Sequence, residues 1–366
     1  MNKIGLRVGG KKIEVDFNEH FRALAKVNEA MTSGVLEHYR KCGLTYVDVP
    51  AIVGITGACE NIDTLFRVGS RTEVPLFFAQ TGQLSLEQAL QTLPGVCTII
   101  HSGRDEEKED SRHLRQFRLI EEEFDCTLAG MARESYDEDR MYEALLEHIQ
   151  NAIRAMVASA LQAESNTLAR YGRNVKKLEQ ALSKPFLRIE YEEAIALLKD
   201  NGFPNLKFGD DLESNEEAKV VALLNAAGEE LPVFIMKYPK EIKFFNMKTS
   251  SKDSRVALSA DLILPYSGEG VGSAVREHEF ERLDERLKAS TMFKLHLERG
   301  GTYEDFAWYL NIMKAQKTNP HAGYGIGNDR VMQYAFATPD IRAVSLFALL
   351  NTQTGDWQKK PAVAAN

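Results

Sequence analysis

Thr98 to Asp125 reads TIIHSGRDEEKEDSRHLRQFRLIEEEFD, and the fold turns on how this stretch is read. Ile99 on one side, and Phe117 and Leu119 on the other, follow strand alternation, while Glu106 to Ser111 is almost wholly polar. That pattern predicts two strands joined by a charged loop. The residue types match what a nucleotide needs. The guanidinium groups of Arg104 and Arg112 offer planar forks to phosphate, the Glu106 carboxylate accepts from an exocyclic amine, and the Phe117 face stacks on a purine. Taken alone, the stretch reads first as a solvated charged hairpin.

Working outward, the chain has 366 residues and a hydrophobic fraction of 44%, enough for one large domain or two average ones with a substantial core. No apolar run approaches ~18 residues, and the Lys/Arg-punctuated MNKIGLRVGGKKIEVDF is no signal sequence, so a cytoplasmic protein is expected. Cys42, Cys59, Cys97 and Cys126 lack C-x-x-C spacing, which predicts buried free thiols. The formal charge of -8 argues against a generic polyanion-binding surface.

Residues 1–16 read as a hairpin turning at Gly9-Gly10. Leu24, Val27, Met31 and Val35 predict a helix over Phe21 to Lys41, followed by a strand, GLTYVDVPAI, closed by Pro50. Pro75 to Ala89 reads as a strand entering a helix near Leu84, and Met141 to Met156 as an amphipathic scaffold helix. Ser183 to Ala227 reads as an insertion containing a helix at Tyr191 to Lys199. Pro232 to Met247, Ala257 to Pro265 and Val271 to Arg276 alternate as strands of one antiparallel sheet, and the polar tail 352–366 is expected to fray. Together these predict an α+β fold in a single domain, 1–366, with an antiparallel sheet at its centre.

A second glycine-rich stretch, PHAGYGIGNDRVMQY (Pro320 to Tyr334), ends in Arg330; glycines there allow backbone to approach a ligand closely. R-x-E, a polar loop, R-H-L and F before an acidic strand resemble motif 2 of class II aminoacyl-tRNA synthetases, and GYGIGNDR resembles motif 3. The resemblance spans about Phe21 to Phe347 and is strongest to the asparaginyl branch of the aspartyl/asparaginyl group. It implies a class II synthetase-like antiparallel sheet flanked by helices. The helix, strand and Pro50 are similar to motif 1, which implies a homodimer.

The resemblance also implies roles. Arg104 grips the α-phosphate of ATP, Glu106 the adenine amine, Arg112 and His113 the outer phosphates; Phe117 and Arg330 take opposite faces of the purine. Leu114 and Gly327 fall in the same motifs. In DLILPYSGEGVGSAVREH, Asp261 and Glu269 supply the hard oxygens that Mg2+ prefers, with a solvated acid pair as the alternative. The family's D-x7-E-x6-R order makes them metal ligands and sets Arg276, with nearby Ser273, on the amino-acid substrate. Glu60, Thr81, Gln83 and Gly323 fall at the amino-acid site, and Glu121 where asparaginyl enzymes read the side-chain amide. Leu86 stands where aspartyl enzymes keep a lysine.

Some features depart from the synthetase pattern. The expectation is no anticodon-binding domain, since residues 1–20 suffice only for a hairpin; Gln116, Asp329 and SLFALLN also differ from the family. The combination resembles the stand-alone asparagine synthetases related to asparaginyl-tRNA synthetase. These imply activation of an amino acid as an acyl-adenylate with ATP and Mg2+, then transfer to ammonia or another small amine, with tRNA an unlikely acceptor. A neutral pocket with Leu86 favours asparagine, whereas the amide-forming relatives use aspartate, and both stay open. The alternative is aminoacylation of tRNA or another macromolecule.

Overall fold

The computed structural model describes residues 3–8, 11–54, 64–69, 71, 76–105, 111–225, 227–315 and 318–346. Glu60, Glu106, Cys59, Gly9-Gly10 and the tail lie outside them. Strands β1 (Lys3–Val8) and β2 (Lys11–Asp16) pair antiparallel. Helix α1 (Phe17–Lys41) begins earlier than its apolar spacing suggests, because the Asp16 carboxylate caps it, accepting from the N–H groups of Asn18 and Glu19 at 3.0 and 3.2 Å.

The following strand is shorter than GLTYVDVPAI implies: β3 is only Thr45–Tyr46. A small sheet of β4 (Ile52–Val53), β5 (Arg67–Val68) and β6 (Leu76–Phe78) precedes α2 (Gln83–Ala89). The hairpin at the heart of the fold is β7 (Gly95–Gly103) and β8 (Gln116–Asp125), antiparallel from Gly95↔Phe124 to Gly103↔Gln116. Then come α3 (Glu138–Arg170), twice as long as its apolar stripe suggests, α4 (Val175–Ser183), β9 (Leu187–Glu190), α5 (Tyr191–Lys199) and α6 (Ser214–Leu224). The chain closes with β10 (Val233–Met236), β11 (Ser259–Leu264), β12 (Gly268–Val275), α7 (Phe280–Ala289), α8 (Thr291–Glu298), α9 (Ala307–Ala315), β13 (His321–Gly327) and α10 (Asn328–Phe336).

Among the described residues, eight strands form the main sheet in the order β3-β7-β8-β13-β12-β11-β10-β9. Its interior is antiparallel, and each outermost pair, β3 with β7 and β9 with β10, is parallel. The expected antiparallel α+β architecture is therefore present, with β9 of the 183–227 segment built into the sheet edge.

Strand pleating divides the sheet. Ile120, Phe124, Val271, Val275, Ala322, Tyr324 and Ile326 join the core beneath α1 and α3. Their neighbours on β8, β12 and β13 face the other way, and there the functional residues collect. Among the described residues no helix is long and apolar enough to cross a membrane. Cys97 and Cys126 are buried free thiols and Cys42 is half-buried.

Candidate active site

A cleft of ≈ 430 Å³ opens on the face away from α1 and α3. Arg104, Arg112, His113, Leu114 and Phe117 line it from the β7–β8 hairpin, Glu269 from β12, and Gly327 and Arg330 from β13 and α10. The two arginines, more than two hundred residues apart in the chain, meet in one space. The Arg104 guanidinium lies 5.8 Å from the centre of the Phe117 ring. Leu114 packs against Ile341 beneath them.

Arg330 is set by backbone acceptors: its Nη1 donates to the Ser267 carbonyl at 2.6 Å and its Nη2 to the Arg112 carbonyl at 2.7 Å. These bonds tie the β8 approach, the β11–β12 turn and α10 together. Arg118 adds a link to the helix layer, donating to Asn28, Thr32 and Asn328 at 2.7, 2.9 and 2.9 Å.

Asp261 and Glu269 flank Gly272. A Cβ there would stand 3.1 Å from Glu269 Oε1 and 4.0 Å from Asp261 Oδ1, so the glycine leaves room between two hard-oxygen donors. Ser273 lies elsewhere. Strand parity turns it to the helix-covered side with Val271 and Val275, where its buried hydroxyl donates to the Ala260 carbonyl at 2.5 Å. It is Gly272, not Ser273, that opens between the acids.

Deeper in the sheet lies a fully bonded polar cluster. Arg276 donates to Glu123 Oε1 from Nε at 3.1 Å and Nη2 at 2.6 Å, and both are buried. Burial works against the guanidinium's charge, but the carboxylates of Glu123 and Glu87 outweigh it and hold its pKa above the ordinary value. Gly323 faces this pair so closely that a Cβ would fall 2.0 Å from the Glu123 carboxyl carbon. Only glycine fits.

Glu121 accepts from the Thr81 hydroxyl at 2.5 Å and the Gly82 N–H at 2.8 Å. Burial nonetheless pushes its carboxyl up to about 7, against the pull of those bonds and of Arg276. Gln83 donates to Glu87 at 2.9 Å. Leu86 is wholly buried in an apolar cluster with Leu90 and Val96.

Sequence reasoning passed over three groups. Glu87 accepts from Gln83, Asn246, Tyr309 and His321, at 2.9, 2.7, 2.7 and 3.2 Å. Ligand atoms of Glu87, Glu123 and His321 lie within 4.8 Å of one another, the spacing of a metal site. Their lone pairs already serve Arg276, Tyr309 and Asn246, so the group is a bonded network beside a buried cation. Lys243 donates to Asp261 at 2.7 Å. Glu217 lines the cleft from α6. Burial, then the charges of Glu269 and Asp261, push its carboxyl up to about 8 against Arg112 and Arg330. An acid sharing a buried helix face with Val220 and Val221 was the available signal.

The chain matches the family of class II tRNA synthetases (D, K and N) over residues 6–351, and it belongs to that family. Within it, similarity is to the asparaginyl/aspartyl branch. The chain is 31% identical over 326 residues to an asparagine–tRNA ligase of Pyrococcus furiosus, covering 89% of this chain and 68% of that protein. In structure it is similar to asparaginyl-tRNA synthetase of Pyrococcus horikoshii complexed with asparaginyl-adenylate, with a TM-score of 0.75 and 29% identity over 90% of this chain and 68% of that one. Asparaginyl-tRNA synthetase of Entamoeba histolytica, at 23% identity and a TM-score of 0.74, shares the fold. The protein is thus an aspartate/asparagine-type class II synthetase, an ATP-using ligase that makes an aminoacyl-adenylate.

Proposed function

We propose that this protein uses ATP and Mg2+ to activate an aspartate/asparagine-type amino acid and passes the acyl group to ammonia or another small amine, forming an amide. The observation that carries the adenylation step is the meeting of Arg104, Phe117 and Arg330 in one cleft that Glu269 also lines. A substrate carboxylate oxygen attacks the α-phosphorus, the bond to the β-phosphate breaks, and pyrophosphate leaves. Arg330, held by two backbone carbonyls before the ligand arrives, and Arg104 spread the charge that builds on the phosphates. Asp261 and Glu269 would hold Mg2+, which when bound neutralises phosphate charge. Arg276, Glu121, Thr81 and Gln83 orient the amino acid, with Gly323 making room for the Glu123 carboxylate that holds Arg276. The amine then attacks the acyl carbon, the bond to phosphate breaks, AMP leaves, and the nitrogen gives its extra proton to solvent.

The acceptor is argued from charge. Asp105 to Asp110, DEEKED, sets five carboxylates against one lysine between cleft-lining Arg104 and Arg112. Such a run favours a small neutral or cationic amine over a polyanion. A second reading, transfer to tRNA, is favoured by the relatives, which are asparagine–tRNA ligases. We also take the chain as a homodimer: Tyr46 and Ile52, on the segment similar to motif 1, are 47% and 51% exposed.

Pyrophosphate exchange across a panel of amino acids, followed by AMP release with hydroxylamine or ammonia, tests this. Amine-stimulated AMP release without RNA supports amide formation. Amino acid that becomes acid-precipitable with tRNA, and is lost on RNase treatment, replaces it with aminoacylation.

A further inference from the structure

The geometry points to Glu217 as a positioning residue for the nucleotide, acting from α6 through Arg112; this rests on the cleft's reading as the ATP site. Glu217 Oε2 stands 3.8 Å from Arg112 Nη2, with the glutamate side chain only 10% exposed and the arginine 33%. The backbone is shaped around the pair. Gly268 takes a φ of +77°, which favours glycine, and a Cβ there would lie 2.8 Å from Arg112 Nη2 and 3.2 Å from Glu217 Oε2, so a larger residue would push the pair aside.

The pair belongs to a longer chain of contacts. The Arg112 carbonyl receives Arg330 Nη2, and Arg330 Nη1 reaches Ser267, the residue before Gly268. Glu217, Arg112, Arg330 and Ser267 therefore form a connected line along one side of the cleft, joining α6 to both of these arginines. A guanidinium has five N–H donors in a rigid fork, so Arg112 can keep Glu217 on one edge while offering another to phosphate. A carboxylate behind an arginine restricts its rotamers and so lowers the ordering cost when phosphate binds. Residues 183–227 thereby take part in nucleotide binding through a side chain that need not touch the nucleotide.

The test is calorimetric ATP binding by the full chain, with pyrophosphate exchange alongside, for Glu217→Gln, Arg112→Ala and the double variant. Measured at pH 9, above the value of about 8 to which burial raises the Glu217 carboxyl, Glu217→Gln should raise the Kd and KM for ATP about fivefold, as for loss of one partly buried ion pair, with kcat and the amino-acid KM nearly unchanged. In the Arg112→Ala background it should add less than about twofold, because its effect passes through that arginine. Unchanged ATP affinity in Glu217→Gln overturns the proposal, as does an undiminished effect without Arg112. A parallel loss in Tm and in both KM values would make Glu217 merely structural. Calorimetry separates the failures: if the wild type binds ATP but the amide reaction fails, only the acceptor reading falls, whereas no ATP binding at all sinks both.

Discussion

Two regions share one face of the sheet and treat charge in opposite ways. In the inner cluster, Glu87, Glu121, Glu123, Arg276 and His321 are almost wholly buried and each is bonded to another protein group. In the cleft, His113 is exposed, Arg112 is partly so, and Arg330 is steered by carbonyls. Buried charges must be matched for the chain to fold, whereas charges at a solvent-filled cleft are stable until a ligand takes them. Substitutions in the inner cluster should therefore cost stability as well as amino-acid binding, and those at the exposed cleft arginines chemistry alone.

The sharpest break would come at Glu123. Glu123→Ala leaves Arg276 buried without its bidentate partner and is expected to cost ~3–5 kcal/mol of unfolding free energy, read by urea titration. Arg104→Ala or Arg330→Ala should instead lower kcat/KM for pyrophosphate exchange by ~10²–10³-fold, about 3–4 kcal/mol of transition-state stabilisation, with the urea midpoint barely moved for Arg104→Ala, whose side chain is exposed. If the arginine variants unfold and the glutamate variant does not, the contrast is wrong.

Acidity sharpens the contrast further. The Glu121 carboxyl titrates at about 7 in the folded protein against an ordinary 4.5, so the folded state binds more protons than the unfolded one between those values. Its contribution is full below about 4.5 and falls by up to ~1.4 kcal/mol per pH unit until about 7. Glu121→Gln should flatten that part of the stability profile, measured as Tm from pH 4.5 to 8. The smallest effect is expected on the border between the regions. Lys243→Met leaves the buried Asp261 without its ammonium, so the Mg2+ concentration for half-maximal exchange should fall a few-fold, ~1 kcal/mol.

What was legible beforehand followed the periodicity and the local motifs. Alternation found β7, β8, β11 and β12, and the arginines announced themselves by type and spacing. The short β3 escaped because a hydrophobic run specifies burial, not ladder length. Ser273 was misread because its neighbours match a motif, yet side-chain direction depends on parity, and a position off by one points to the opposite side. Glu87, Lys243 and Glu217 were missed since the groups they meet are not local to them: Asn246, Tyr309 and His321 for Glu87, Asp261 for Lys243 and Arg112 for Glu217. Only the sheet's ordering of strands brings them together.

The run Glu121-Glu122-Glu123 has one more implication. Glu121 and Glu123 look towards the ligand side, while Glu122 turns under the helices to accept from the Tyr324 hydroxyl and meet His148 at 2.6 Å. Three identical residues carry no label to say which belongs where, and from its own side β8 is held in register only by the flanking core residues Ile120 and Phe124. Its pairing partner resolves the ambiguity: Gly323 and Gly325 lie opposite Glu123 and Glu121, with bulky Tyr324 opposite Glu122. A glycine–tyrosine–glycine comb thus proofreads strand alignment, and Gly323→Ala should yield misassembled protein as well as a damaged site.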